Sequence, residues 1–258
     1  KIETQIAKLS STFSRELQHA IRDIRIDALY QDLLIRHVFN RPEPLAAMTG
    51  WSVAPEFAWW LYNYMLEARP RCIVELGSGI STLVIASAIK KTGKGRLIAL
   101  EHSKKYYDET LDLLKTAGLD GYAQIIYRPL RIYEIDGEEY NWYDLPDDLL
   151  ATAFKGNALD LVLVDGPPAA TGRHARYPAH ILLRKYYSEN ALVILDDSGR
   201  REEQEILARW QAMEPNSELQ ALRHIRHGVT LFYPRRRPDP ETVDTDPLTG
   251  IITLAYEQ

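Results

Sequence analysis

Three short runs constrain the fold of this chain more than anything else in it. Cys72-Ile-Val74, Leu161-Val-Leu-Val164 and Leu192-Val-Ile-Leu195 are apolar at every position. A strand with one wet face alternates apolar and polar residues, so a strand without alternation belongs inside a sheet covered on both faces. Around them the pattern predicts helices at Pro55–Glu67, Ile80–Lys91, Lys104–Ala117, Pro178–Tyr187 and Arg201–Met213. It predicts strands at Arg71–Glu75, Arg96–Glu101, Tyr122–Tyr127, Leu159–Asp165 and Ala191–Asp196. Strands alternating with helices of this length make parallel βαβ units with right-handed crossovers. The series closes on Glu218–Ile225 and Gly228–Tyr233, joined by a tight turn at Arg226-His227. The expectation is an α/β fold: a doubly wound, seven-stranded sheet ending in an antiparallel hairpin.

The chain has 258 residues, 45% of them hydrophobic, enough for one large α/β domain with extensions. Residues 1–42 form the first extension. Ile2, Ile6, Leu9, Phe13, Leu17, Ile21, Ile24, Leu29, Leu33, Leu34 and Val38 recur at steps of mostly three and four, which predicts an amphipathic helix. Two readings stay open for it: packing on its own domain, or a coiled coil that makes a homo-oligomer. Asn40-Arg-Pro-Glu-Pro44 stops the helix. The main domain is expected over 43–233 and a loose tail over 234–258. A net charge of −5 argues against a nucleic-acid partner. One cysteine, Cys72, rules out an intrachain disulfide and a cysteine-rich metal site. With no apolar run near the ~20 residues of a membrane span and no signal peptide in view, the expectation is a cytoplasmic protein.

Chemistry is expected where the strands end. Glu75-Leu-Gly77-Ser-Gly79-Ile-Ser81-Thr82 closes the first strand and opens a helix. Glycines allow a sharp turn and close ligand approach, and the helix start offers free N–H groups. Glu101, at the end of the next strand, is placed to take both hydroxyls of a ribose. The third glycine of a dinucleotide fingerprint would fall on Thr82, which disfavours a pyrophosphate. Glu75, just ahead of the first glycine, suits a cationic or zwitterionic ligand and so points to S-adenosylmethionine. On these motifs, residues 70–233 resemble the class I S-adenosylmethionine-dependent methyltransferases, which have a Rossmann-like fold. The resemblance implies that Gly77, Ser78, Gly79 and Ser81 line the amino-acid end of the cofactor. It further implies Glu101 at the ribose, His102 nearby, and Pro129 and Leu130 beside the adenine. Trp51 and Ser52 are either a cofactor lid or plain core.

Asp165 ends the fourth strand and Asp196-Asp197 the fifth. Adjacent strand ends converge on the ligand crevice of an open sheet, and three carboxylates there need a compensating charge. A divalent cation such as Mg²⁺ on Asp165, Asp196 and Asp197 supplies one. In the other reading Asp165 positions cofactor or substrate, while Asp196 or Asp197 caps the next helix and pairs with Arg200 or Arg201. Asp-Gly followed by a later Asp-Asp is similar to metal-dependent sugar O-methyltransferases, whose acidic residues hold a metal and the metal the substrate hydroxyl. Relatives often carry a further Asp as base where this chain has Pro167. The base is therefore sought in the next loop, where His174 is the candidate. Arg173, Arg176 and Tyr177 are candidates to grip an anionic or hydroxyl-rich substrate, unless the arginines pair with the strand-end acids instead. Asp165, His174, Arg176 and Asp197 are thus the expected catalytic set. The insert over 131–157, with Tyr133, Tyr140, Trp142 and Tyr143, is either a sugar-stacking edge or a surface excursion.

The whole arrangement also resembles bacterial methyltransferases associated with surface-polysaccharide assembly. That implies a carbohydrate hydroxyl, on a polysaccharide or a sugar precursor, as acceptor. A metal-independent methyltransferase acting on another small molecule or a protein group, and a non-catalytic scaffold, remain as alternatives.

Overall fold

The computed structural model describes residues 13, 17–18, 21, 23–39 and 52–235. After a helical stretch over 23–34 and a π-helical turn, Ile35–Phe39, the elements are α1 Pro55–Ala68, β1 Cys72–Leu76 and α2 Ile80–Thr92. Next come β2 Arg96–Glu101, α3 Lys104–Ala117, β3 Ala123–Tyr127, β4 Leu130–Ile135, β5 Glu138–Tyr143 and the short α4 Leu149–Ala153. The rest is β6 Leu159–Val164, α5 Pro178–Leu183, β7 Tyr187–Asp196, α6 Arg201–Met213, β8 Glu218–Leu222 and β9 Val229–Tyr233. Seven strands form one sheet in the order β3-β2-β1-β6-β7-β9-β8. The β3, β2, β1, β6 and β7 neighbours pair in parallel, while β9 runs antiparallel to both β7 and β8. This is the Rossmann-like sheet with its inverted closing strand.

The apolar runs of the central strands are buried, as their lack of alternation requires: Ile73, Val74, Leu161, Val162, Val193 and Ile194 have no exposed surface. Their side chains feed two cores. Ile73, Leu161 and Ile194 pack with α1 and α2 on one face, and Val74, Val162 and Val193 with Trp142, Tyr177 and Trp210 on the other. Proline at the first turn starts α1 and α5, and left-handed glycines end α2 and α3.

Three elements differ from the sequence reading. The strand expected over Glu218–Ile225 ends at Leu222, so residues 223–228 connect β8 to β9 in place of a tight turn at Arg226-His227. The predicted helix Pro178–Tyr187 stops at Leu183 and tightens into a 3₁₀ turn, Arg184–Tyr186, so β7 begins early, at Tyr187. The insert is not a loose excursion. It contains an antiparallel hairpin in which Ile135 faces Glu138 across Asp136-Gly137. Both turn residues have positive φ, 55° and 78°, the geometry an Asp-Gly hairpin turn requires. The hairpin buries Tyr140, Trp142 and Tyr143 under the sheet, so these rings are core rather than a stacking edge.

The N-terminal stripe divides. Tyr30, Leu34, Val38 and Phe39 enter the same core as α1, each burial contributing roughly 2 kcal/mol. Phe13, Leu17, Ile21, Ile24 and Leu29 are exposed. Ile2, Ile6 and Leu9, the stop at 40–44, Trp51 and the tail from 236 onward lie outside the described residues. Among the described residues no helix is long and apolar enough to cross a membrane.

Candidate active site

The ends of β1, β6 and β7 lie side by side because the main-chain ladder runs past the strands. The Gly77 N–H donates to the Leu100 carbonyl at 2.9 Å, and the Asp165 N–H to the Leu76 carbonyl at 3.0 Å. Gly77 turns at φ 96°, a conformation L side chains rarely adopt. Across from it stands Gly166, where a Cβ would come within 2.3 Å of the Tyr143 hydroxyl oxygen. That hydroxyl is buried and has no hydrogen-bond partner. Sequence reasoning assigned Tyr143 to the insert and missed its place at the strand ends. Only the Asp136-Gly137 turn signal could have pointed there.

A cavity of about 730 Å³ opens over this turn. Gly77, Ser78, Gly79, Ser81, Glu101 and His102 all line it, as expected from the sequence. The Glu101 carboxylate is almost fully buried and organises the turn. It accepts the Ser78 N–H at 3.0 Å, the Ser78 hydroxyl at 3.2 Å and the Ser103 N–H at 2.7 Å. Leu130 is not among the residues lining the cavity; it pairs with Tyr143 in the hairpin. The cavity instead extends along α3, past Lys105, Tyr106, Glu109 and Leu113.

Glu75 also departs from expectation. It has no exposed surface and does not line the cavity. Its Oε2 accepts the Thr82 hydroxyl at 2.6 Å, and Thr82 Oγ1 accepts the Gly79 N–H at 2.9 Å. Thr82 thus ties the turn to β1 where a dinucleotide site would have glycine. Burial pushes the Glu75 carboxyl up from 4.5 to about 7. A carboxyl raised on folding binds more protons in the folded state, so its contribution is greatest below 4.5 and is lost as pH rises toward 7. At about 1.4 kcal/mol per unit, the loss is about 3 kcal/mol. Glu75→Gln removes this dependence. Denaturant titrations at pH 5 and pH 8 are expected to show the wild type losing more stability than the variant between the two. Equal losses would refute the raised ionisation.

Three carboxylates converge at the other side of the turn. One oxygen from each of Asp165, Asp196 and Asp197 falls within 4.8 Å of the others. Burial, and then the Asp196 charge, push the Asp165 carboxyl well above the aspartate range. Asp196 is pushed up to about 6, by burial first and Asp197 next. Arg176 enters the cluster from the loop before α5, its side chain 4% exposed. Its Nη1 donates to the Asp196 carbonyl at 2.7 Å and its Nη2 to the Asp165 carbonyl at 2.9 Å. The same Nη2 is 3.3 Å from Asp165 Oδ1 and 3.1 Å from Asp197 Oδ2. Arg200 Nη1 adds a contact to Asp197 Oδ2 at 2.9 Å.

A second cavity, about 540 Å³, lies on this cluster, and Asp165, Ser52 and Pro168 line both cavities. Its far wall carries Asp27 and Gln31 of the N-terminal helix and Arg226 of the closing hairpin. Arg226 bonds to Asp27, and its main-chain N–H donates to the buried Glu56 of α1 at 2.9 Å. The helical extension therefore builds part of this wall, a role that no residue spacing signals.

His174, the residue read as the candidate base, is placed elsewhere. Its ring Nε2 is 2.7 Å from Glu205 Oε2, on α6, and it lines neither cavity. That pair, with Arg201 and Arg173, holds Glu205 down to about 2. Arg173 also bonds Glu205, and Tyr177 is buried with its hydroxyl on Asp136. Of that loop, Arg176 alone reaches the acids among the residues proposed to grip substrate.

Known proteins resemble this chain in one domain and in fold. Residues 74–198 match the family model described as a methyltransferase domain. No curated protein matches by sequence. Among solved structures, an O-methyltransferase from Bacillus cereus in complex with SAH is 19% identical, with a TM-score of 0.56 over 81% of this chain and 96% of that one. The O-methyltransferase TomG from Streptomyces achromogenes, involved in tomaymycin synthesis and in complex with SAM, is 15% identical, with a TM-score of 0.53 over 82% and 94%. The SAH-bound methyltransferase PaMTH1 of Podospora anserina is 17% identical, with a TM-score of 0.51 over 72% and 80%. The fold is theirs, and the matched segment runs from β1 to just past the acidic end of β7; it carries the glycine turn and Glu101 of the larger cavity and Asp165, Arg176, Asp196 and Asp197 of the smaller. Residues 74–198 match a methyltransferase domain, and this match, with the fold shared with SAH- and SAM-bound methyltransferases, supports an S-adenosylmethionine-dependent methyltransferase.

Proposed function

We propose that the chain transfers a methyl group to a hydroxyl oxygen of a carbohydrate, with S-adenosylmethionine in the larger cavity and the acceptor in the smaller. The observation that carries this reading is Asp165 on the wall common to both cavities. When bound, the cofactor supplies an activated methyl group on a positively charged sulfur. The chain's part is to hold two reactants in line and take up one proton. Ser78, Gly79 and Ser81 line the amino-acid end, and Glu101 accepts from the ribose hydroxyls. The Tyr143 hydroxyl, buried and unpartnered beside Gly77 and Gly166, is a polar atom that a ligand at this turn would satisfy.

At the shared wall, Asp165 accepts the proton of the acceptor hydroxyl as its oxygen is methylated. A carboxyl raised by burial is a better base at neutral pH than an ordinary aspartate. A carbohydrate acceptor is supported by the smaller cavity's lining of hydrogen-bonding groups, Asp27, Gln31, Asp197, Arg200 and Arg226. The likeness to O-methyltransferases supports oxygen as the methylated atom. Self-association through the N-terminal helix belongs to the same proposal, supported by its exposed Phe13, Leu17, Ile21 and Ile24.

The test is transfer of isotope-labelled methyl from S-adenosylmethionine to sugar nucleotides and oligosaccharides, beside catechols and peptides. Label in the sugar fraction, absent when the acceptor's hydroxyls have first been acetylated, is expected. Label only in catechol or peptide would overturn the acceptor class while leaving the cofactor reading intact.

A further inference from the structure

The methyltransferase fold also serves enzymes whose strand-end acids hold a divalent ion, and Asp165, Asp196 and Asp197 present the matching triad. The donor set does not fit an ion. Arg176 Nη2 already lies 3.3 Å from Asp165 Oδ1 and 3.1 Å from Asp197 Oδ2. Asp196 Oδ1 accepts the Asp197 N–H at 2.8 Å. A cation drawn to these oxygens would sit against a guanidinium that cannot give up its proton. Two arginines, Arg176 and Arg200, also set two positive charges against the three carboxylates, so most of the charge an ion would balance is balanced.

Arg176 is held as a fixture rather than as a mobile surface side chain. Both Nη atoms are committed to main-chain carbonyls of the two strand ends, at 2.7 and 2.9 Å. Its Nε is buried with no hydrogen-bond partner. An arginine placed only to neutralise a surface patch would keep that donor in water.

We infer that Arg176 occupies the seat of the divalent ion, making this acidic mouth metal-independent, and that removing Arg176 turns Asp165, Asp196 and Asp197 into a divalent-cation site. The inference rests on the proposed function only in naming the smaller cavity an acceptor site. Its test involves neither S-adenosylmethionine nor turnover, so the two can fail separately.

The probe is Mn²⁺ titrated into the full chain and followed by the electron paramagnetic resonance of the free ion. The wild type is expected to leave Mn²⁺ free. Arg176→Met is expected to bind one ion roughly ten- to a hundredfold more tightly than the wild type, the scale on which groups next to a metal ligand act. Adding Asp197→Asn to that variant should abolish the gain. Arg176→Lys, which keeps a positive charge with a different shape, should fold and remain without the ion, and circular dichroism checks folding of every variant. Mn²⁺ uptake by the wild type that Asp165→Asn removes overturns the inference whether or not Arg176→Met folds. A folded Arg176→Met that gains no Mn²⁺ overturns it as well.

Discussion

Asp165→Asn is expected to lower kcat by about 10²- to 10⁴-fold, the range over which a positioned base acts. Binding of S-adenosylhomocysteine should change little, because the Asp165 side chain lies at the shared wall while the turn is held by Glu101 and Thr82. The variant keeps the side-chain shape and an oxygen for Arg176 but cannot take up a proton. The pH profile separates this role from a structural one. With its carboxyl raised, the wild type gains the ionised, proton-accepting form as pH increases, so kcat rises with pH along one ionisation. In Asp165→Asn that limb should vanish. A variant with the wild-type rate, or with the same rising limb, would assign the proton to another group.

Glu101→Ala is the second large effect, and it falls on binding. The carboxylate is 3% exposed and anchors Ser78 and Ser103 before any ligand arrives. Hydrogen bonds to a charged group contribute about 1.5–3 kcal/mol each. Losing the ribose contacts together with the acceptor for the Ser78 N–H should weaken S-adenosylhomocysteine by about 100-fold or more. Calorimetry on the wild type, Glu101→Ala and Glu101→Gln gives the comparison. The Gln variant can still accept one hydrogen bond and is expected between the other two. Affinity unchanged in Glu101→Ala would place the ligand away from β2.

Some of this was legible from residues alone. Unbroken apolar strands announce a buried parallel sheet, and the two strands flanking Arg226-His227 announce the inverted closing strand. Glycine and carboxylate positions at strand ends follow once the sheet order is known, because its crevice lies at the carboxyl ends. Three things escaped. Asp136-Gly137 is a hairpin signal, but its flanking strands carry Arg131, Glu134 and Glu139 and read as a polar loop. His174 has the chemistry of a base, yet whether a loop residue faces the cleft or α6 depends on how the loop folds back, which no spacing encodes. Glu75 has the chemistry of an ammonium ligand, but it lies within a strand buried on both faces and turns inward to Thr82. In each case the residue type was informative and the direction of its side chain was not.

The central claim is that the bend at Gly77–Gly79 and the carboxylate of Glu101 hold an adenosyl sulfur compound whose sulfur faces Asp165. The most direct measurement is the crystal structure of the chain grown with saturating S-adenosylhomocysteine. The account predicts ligand in the 730 Å³ cavity, with ribose hydroxyls on Glu101 and sulfur turned toward the wall shared with the smaller cavity. A ligand bound elsewhere, or lying in that cavity with its ribose away from Glu101, would contradict it.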